Sequence, residues 1–595
     1  MRYGVTRFGT LVLAFSALSV SALELGGKVV DSTGEPVVGA MVTVAPAASA
    51  VGSLTTTVFS GTDGTYRVPA LGPTDPTNLS LTVRLAGYAP AIVQSLSIFG
   101  APTAGALRAD LTLAPTDNLA GQVPASAWMQ SFPDDNDSRH ALWTCAGCHQ
   151  LPDPKVQHYA MATANLPKEG REASWHAMAQ YMRVKTFDLG PEGSAWPNLP
   201  VAVKSDPALS GWDVEDEAMI ARALAAHLPT EYASLKFYDP GAPLGVTPDT
   251  VIREYQMPPE GFTREVGLSK RSPYVWGAEQ NGNRLVRLDP RTGAVKYLDV
   301  PFDGPSGPHT IVDDEQGNLW ITTIDNDIML RLDPETEQVT LYQDFGKDAP
   351  KGGDKALGGG AMVHDMAIDS NFQLARDKDG RIWTTLIGLN KVGGINPDTR
   401  ELVAFEAPAP EGKPAFHTAL YGIVMNSAKT HVWYAQLGGG VGSFNVETLK
   451  FEDYIPFEMG EGPRRLAIDE RDRIYVPLMG ASEVFVYDTR AKKELARVKL
   501  PDRWAATYNV TWDSLRKCLW VGTTNADVIY RMDPETYAFT RYPLPRQGAL
   551  LRMITFDRRT GNLWTAYSSL GKNSPDALVE LDPGDGVRPS MQTAR

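Results

Sequence analysis

The chain is 595 residues long, carries a net charge of −14 and has only three cysteines. That length exceeds what a single hydrophobic core supports and implies three or four domains. The acidic balance argues against nucleic acid and anionic membrane surfaces as partners, and the scarcity of cysteine argues against a disulfide-stapled scaffold.

Arg2 and Arg7 precede an apolar run over residues 8–20 that ends in Val20-Ser21-Ala22. A basic start, a short apolar stretch and a small-residue end read as an export signal over residues 1–22, too short to span a membrane. No later stretch reads as a span, so the mature protein is expected to be exported and soluble, in the periplasm if the source is a bacterium.

Residues 23–115 read as short strands separated by turn residues. Gly27-Lys28-Val29-Val30-Asp31 alternates, breaks at Ser32-Thr33-Gly34-Glu35-Pro36 and resumes over residues 37–44. Asp63-Gly64, inside Thr62-Asp63-Gly64-Thr65-Tyr66, is the signal of a hairpin turn. Residues 81–85 and 107–113 complete a small β-sandwich pattern. The stretches GKVVDSTGEPVVGAMVTV, TDGTYRV and AGYAP resemble the carboxypeptidase regulatory-like domain, a transthyretin-like sandwich. The resemblance implies a structural or adhesive module and offers no catalytic residues.

Residues 116–238 contain Cys145-Ala146-Gly147-Cys148-His149. Two thiols two residues apart with histidine next form a c-type haem attachment motif, the histidine placed to bind iron. A zinc site would need more ligands, and the remaining cysteine, Cys518, lies in a predicted strand. A thioredoxin-type pair would follow a βαβ pattern, and none precedes Cys145. The motif closes a predicted first helix. A second covers residues 172–182 and a third residues 216–228, the order of a small monohaem cytochrome c. For the sixth iron ligand the candidates are Met161, Met178, Met182 and Met219, with His158 and His176 as histidine alternatives. Trp175 and Met182 have the Trp-x6-Met spacing that resembles c-type domains fused to streptogramin-lyase-like propellers. That resemblance implies Met182, with Met178 one turn earlier as the alternative.

From residue 239 to 595 a unit repeats: a polar turn, a strand with Trp or Tyr, then a strand ending near Asp-Pro. Gly317-Asn318-Leu319-Trp320 with Leu332-Asp333-Pro334 is one example, and Leu519-Trp520 with Met532-Asp533-Pro534 another. The anchors Trp276, Trp320, Trp383, Trp433, Tyr475, Trp520 and Trp564 predict seven four-stranded blades of a β-propeller. The fold class expected is therefore mainly β, with a small sandwich and an all-α haem domain ahead of the propeller. The repeats resemble the streptogramin lyase (virginiamycin B lyase) family, which implies the seven-bladed fold. That family's catalytic motif finds no residue-by-residue match here.

The innermost strand of each blade begins about eleven residues before its anchor. That register places Glu265, His309, Tyr421, Arg464, Asn509 and Arg552 around the central funnel and Phe372 at the third blade. An insertion over residues 345–370, glycine-rich and ending with His364-Asp365, reads as a candidate lid. His364, Asp365 and His417 join the funnel candidates. One haem c is the cofactor expected; a divalent metal in the propeller is the addition a lyase would need. Two classes of function compete. The first is a haem c electron-transfer protein or oxidoreductase whose funnel binds a small-molecule substrate or a redox partner protein. The second is a C–O lyase or hydrolase with an accessory haem domain. A quinohaemoprotein dehydrogenase does not fit the tryptophan placement.

Overall fold

The alternating strands of the N-terminal segment pack as two facing sheets. The computed structural model describes residues 23–71, 78–100, 106–119, 121–188, 214–231, 242–258, 261–304, 306–325, 327–342, 362–408, 419–568 and 576–589. Strands β1 (Leu23–Asp31), β2 (Met41–Pro46), β3 (Leu54–Phe59), β4 (Thr65–Leu71), β5 (Leu79–Arg84), β6 (Ala91–Val93), β7 (Ala106–Arg108) and β8 (Leu111–Leu113) build this unit. β1 pairs antiparallel with β4 and parallel with β7 and β8, while β2 lies between β3 and β5. Val42, Val44, Leu81 and Val83 turn inward onto Leu25, Val29 and Val68 of the other sheet, the period-two burial that alternation demands.

The Asp63-Gly64 turn forms, with Gly64 at φ 78° and Asp63 Oδ1 accepting from the Thr65 amide at 3.0 Å. It is not a hairpin. The strands on either side of it belong to opposite sheets, because β3 pairs with β2 and with the distant strand β9 (Val251–Gln256). β9 pairs on its other edge with Ala577–Asp582. The sandwich is thus joined by a backbone ladder to the last C-terminal strands, in one sheet of eight.

Between residues 263 and 543 six four-stranded antiparallel sheets follow one another, each with its strands in sequence order. Thr555–Phe556, Leu563–Tyr567, Ala577–Asp582 and β9 add a further group of four. This is the sheet arrangement of a propeller. Every aromatic anchor is buried in the second strand of its group. The polar turn ahead of the anchor has a physical purpose. Asp314, Asp377 and Asp513 accept the indole N–H of Trp320, Trp383 and Trp520 at 2.9, 2.9 and 3.0 Å, and Asp469 accepts from Tyr475 at 3.0 Å. A buried indole keeps its hydrogen bond while the ring fills the space between sheets.

The helices are α1 (Ala125–Trp128), α2 (Asn136–Cys145), α3 (Pro154–Ala162), α4 (Lys168–Asp188) and α5 (Val214–His227). Asp135 and Asp153 cap α2 and α3 by accepting the Ser138 and Val156 amides. α2 and α4 both pack on α5. Their core does not stop at the helices: Trp143, Trp175, Ile220 and Leu224 form one apolar cluster with Tyr421, Met479, Trp504 and Tyr508 of the sheets. Polar contacts fasten the same seam. Asn525 accepts from the Leu151 amide at 2.7 Å and donates to the Leu151 carbonyl at 2.9 Å. Arg503 donates to the Phe132 carbonyl at 2.6 Å. Among the described residues no helix is long and apolar enough to cross a membrane.

Gly462 is where this seam tolerates least. Its φ is 62°, and a Cβ there would sit 1.8 Å from Trp143 Cδ1. Gly462→Ala is therefore expected to displace Trp143 and cost about 1–3 kcal/mol. Urea unfolding followed by tryptophan fluorescence checks this; an unchanged midpoint would mean that the helices are not seated as described.

Candidate functional site

Cys145 is the last residue of α2, and the loop that follows carries Cys148 and His149. None of the three cysteines forms a disulfide; Cys145 and Cys148 are half-buried and Cys518 is buried. Burial pushes the Cys145 thiol up to about 12. It raises Cys148 as well, against the opposing pull of Arg552, Arg264 and Arg464. His149 Nδ1 lies 2.8 Å from the Gln150 carbonyl and 3.7 Å from Asp153 Oδ2. With the ring proton on Nδ1 facing those acceptors, the lone pair stands on Nε2.

The candidate sixth ligands separate by surroundings. His158 is exposed on α3, and His176 Nε2 is 3.6 Å from the buried Glu217. Met219 is buried on α5, with Asn136 Nδ2 3.8 Å from its sulfur. Met161 is half-buried at the end of α3. Met178 packs against the shared apolar cluster, and Met182 is half-buried one turn further along α4.

Below this loop the innermost strands converge. The expected ring of Glu265, His309, Tyr421, Arg464 and Arg552 is brought together, and every one of these residues is buried. A regular strand would aim every second residue inward, but both members of adjacent pairs reach the ring here. The cause is a β-bulge at the start of each innermost strand. Thr263 faces Glu279 while Glu265 faces Ala278, which leaves Arg264 as the extra residue. The register slips likewise at His309-Thr310, His364-Asp365, Tyr421-Gly422 and Tyr508. The same slip falls between Pro463 and Ala467, and between Leu551 and Thr555.

Three expectations change. Asn509 is buried beside the ring and its amide donates to Thr511 at 3.1 Å, while its neighbour Tyr508 enters the ring. Phe372 is not on the innermost strand; it packs inside the sheets with Val312, Trp320 and Leu374. The third innermost strand is Val363–Met366, so His364 and Asp365 are ring residues and no part of a lid. Residues 345–361 of the insertion, and His417, lie outside the described residues. Arg264, Arg465, Tyr508 and Thr310 are the members that the sequence register missed. The charged pairs Arg264-Glu265 and Arg464-Arg465 were the available signal.

Arg465 organises one half of the ring. It is 2.5 Å from Glu265 Oε1 and 3.2 Å from Asp365 Oδ2, and it donates to Thr310 Oγ1 at 3.0 Å. Burial lifts the Asp365 carboxyl to about 7, with Arg465 restraining the rise. The His309 and His364 rings lie 4.3 Å apart, and burial with the nearby arginines holds both well below the usual imidazole range. They are neutral, since a further cation here would meet four guanidiniums.

The other half faces the loop. Arg552 Nη1 donates to the Gly147 carbonyl, inside the Cys-x-x-Cys-His motif, at 2.5 Å. Arg464 has its guanidinium carbon 5.4 Å from the Trp143 ring centroid and 5.1 Å from that of Tyr421. Tyr508 accepts from Arg264 at 3.2 Å and Arg552 at 3.3 Å, and is hydrogen-bonded to the Tyr421 hydroxyl. Guanidiniums only donate, so the Tyr508 oxygen is set up as an acceptor. Burial disfavours its ionisation, but Arg552, Arg264, Arg465 and Arg464 outweigh that and bring it down to about 7. At about 4 kcal/mol per close pair in a partly screened interior, several cations exceed a desolvation penalty of several kcal/mol. The proton retained by the pair stays on Tyr421, whose pKa is raised by burial and by Tyr508. Nε and Nη2 of Arg552 have no hydrogen-bond partner among the described residues. Nor do these residues hold any group of three or more His, Cys, Asp or Glu suited to a metal ion.

The family model of the carboxypeptidase regulatory-like domain matches residues 24–113. The match spans the N-terminal sandwich from β1 to β8. Among solved structures, the propeller is similar to a streptogramin B lyase, at 16% identity over 56% of this chain and 97% of that one, with a TM-score of 0.45. The selenomethionine-substituted virginiamycin B lyase from Staphylococcus aureus is similar at 15% identity over 56% and 99%, with a TM-score of 0.44. No curated protein matches the chain.

The Tyr508 geometry has a measurable sign. The unfolded phenol keeps its proton to about pH 10, while the folded one loses it near 7. Relative to Tyr508→Phe, the wild type should therefore gain stability as pH rises from about 7 towards 10 and lose that gain as pH falls through 7. Urea midpoints of both proteins across that range decide it; a difference independent of pH would mean that Tyr508 stays protonated.

Proposed function

We propose that the chain is an exported c-type cytochrome fused to a seven-bladed propeller and serves as an electron-transfer protein or oxidoreductase. The observation that carries this reading is the seating of the Cys-x-x-Cys-His loop on the buried arginine ring through Arg552 and Gly147. The residues fit a covalent haem: two neutral thiols, neither in a disulfide, and an imidazole whose Nδ1 is anchored. Cys145 and Cys148 would hold it, His149 Nε2 would ligate one side of the iron, and Met182, or Met178, the other. When bound, the group supplies one-electron transfer. Arg464 and Arg552 place fixed positive charge beside Cys148, which favours uptake of an electron there and attracts an anionic or phenolic substrate. The unpartnered donors of Arg552 support such a ligand.

The lyase alternative has less support. Metal-assisted elimination calls for imidazole and carboxylate donors around a dication, and four guanidiniums oppose one. The signal-like residues 1–22 support export, and haem attachment would require it.

The purified mature protein is expected to carry one covalent haem per chain, resisting acid–acetone extraction, with the spectrum of a low-spin methionine-ligated iron. Cys148→Ala should weaken attachment. Met182→Ala should give a high-spin or water-ligated spectrum; if only Met178→Ala does so, the ligand lies one turn earlier. A freely extracted haem, or none, would defeat the proposal.

A further inference from the structure

On β5 the residues Leu79, Leu81 and Val83 face the sandwich core, which turns Arg84 to the opposite face. That face meets the sixth four-stranded sheet across a cleft of about 1240 Å³, part of it open to solvent. The walls are mainly apolar, with Met41, Leu85 and Tyr88 from the sandwich side, Val123 from the segment before α1 and Leu544 from the sheet side. Arg84 lines the cleft half-buried, its guanidinium made less basic by that burial. Among the described residues it makes no hydrogen bond and no ion pair; Glu254, Asp527 and Tyr567 act on it only through space.

The other charged groups of the cleft are committed. Asp527 accepts from Gln150 Nε2 at 2.7 Å and from the Ala549 amide at 2.8 Å. Asp502 accepts from the Trp504 amide at 3.0 Å, and Arg541 donates to the Ala242 carbonyl at 2.9 Å. Glu254 lies 3.5 Å from Arg546. A five-donor fork with no partner among the described residues, at the edge of an apolar cleft, matches a planar carboxylate on an apolar body.

We propose that the cleft between the sandwich and the propeller is a binding site for a small amphipathic monocarboxylate, held by Arg84. One negative charge is specified because a second would meet Asp527 and Glu254. The site is separate from the arginine ring and stands whether or not the chain carries haem.

Calorimetric titration of the whole mature protein tests it with octanoate, octanamide and octyl phosphate. Octanoate should bind at one site per chain, and the neutral and dianionic probes about tenfold more weakly or worse. Arg84→Gln should erase the preference for octanoate over octanamide. Ala86→Trp, which fills the cleft from its wall, should abolish binding of all three with the thermal midpoint unchanged. Equal binding of octanoate and octanamide to the wild type, no binding at all, or an undiminished preference in Arg84→Gln overturns the proposal. If Arg84→Gln does not fold, the probe ratio in the wild type and the Ala86→Trp result decide.

Discussion

Four arginines buried at one end of a propeller are an electrostatic problem that the surrounding structure answers piece by piece. Glu265 and Asp365 neutralise Arg465. The rings of Trp143 and Tyr421 flank Arg464. The Tyr508 oxygen receives Arg264 and Arg552, and Arg552 reaches the Gly147 carbonyl. Removing one member of such a network leaves a charge without compensation, which costs far more than the contact itself. The loop between Cys145 and His149 is therefore a working part of the ring and no mere neighbour of it.

Two features make the arrangement buildable. The bulges add one residue to each innermost strand, so that adjacent side chains serve the ring together. The apolar cluster that runs from Trp175 through Trp143 to Trp504 and Tyr508 fixes the helices over it. The β3–β9 ladder ties the sandwich to the same propeller, and the cleft lined by Arg84 lies beside that tie.

The repeat was legible because each anchor answers a local need: a turn aspartate that bonds the indole must stand a fixed distance ahead of it, as Asp314 does for Trp320. The funnel register followed from that distance and failed where chain was added. At the third sheet a loop over residues 368–376 separates Val363–Met366 from Trp383, so counting back lands on Phe372. Tyr508 was missed for Asn509 because a bulge inverts the parity that sequence counting assumes. The Asp63-Gly64 turn was legible and its pairing was not, since the partner of β3 is the distant β9. The Cys-x-x-Cys-His spacing carries no sign of Arg552, whose contact with Gly147 only tertiary structure creates.

The arginine ring is proposed to act electrically on a haem held by Cys145 and Cys148. The most direct test is the midpoint reduction potential of the purified wild-type protein beside Arg552→Gln and Arg464→Gln, with the exposed Arg490→Gln as control. Loss of a buried positive charge should lower the potential in both ring variants while the control stays at the wild-type value. Equal potentials in all four proteins, with haem covalently attached in each, would contradict the account.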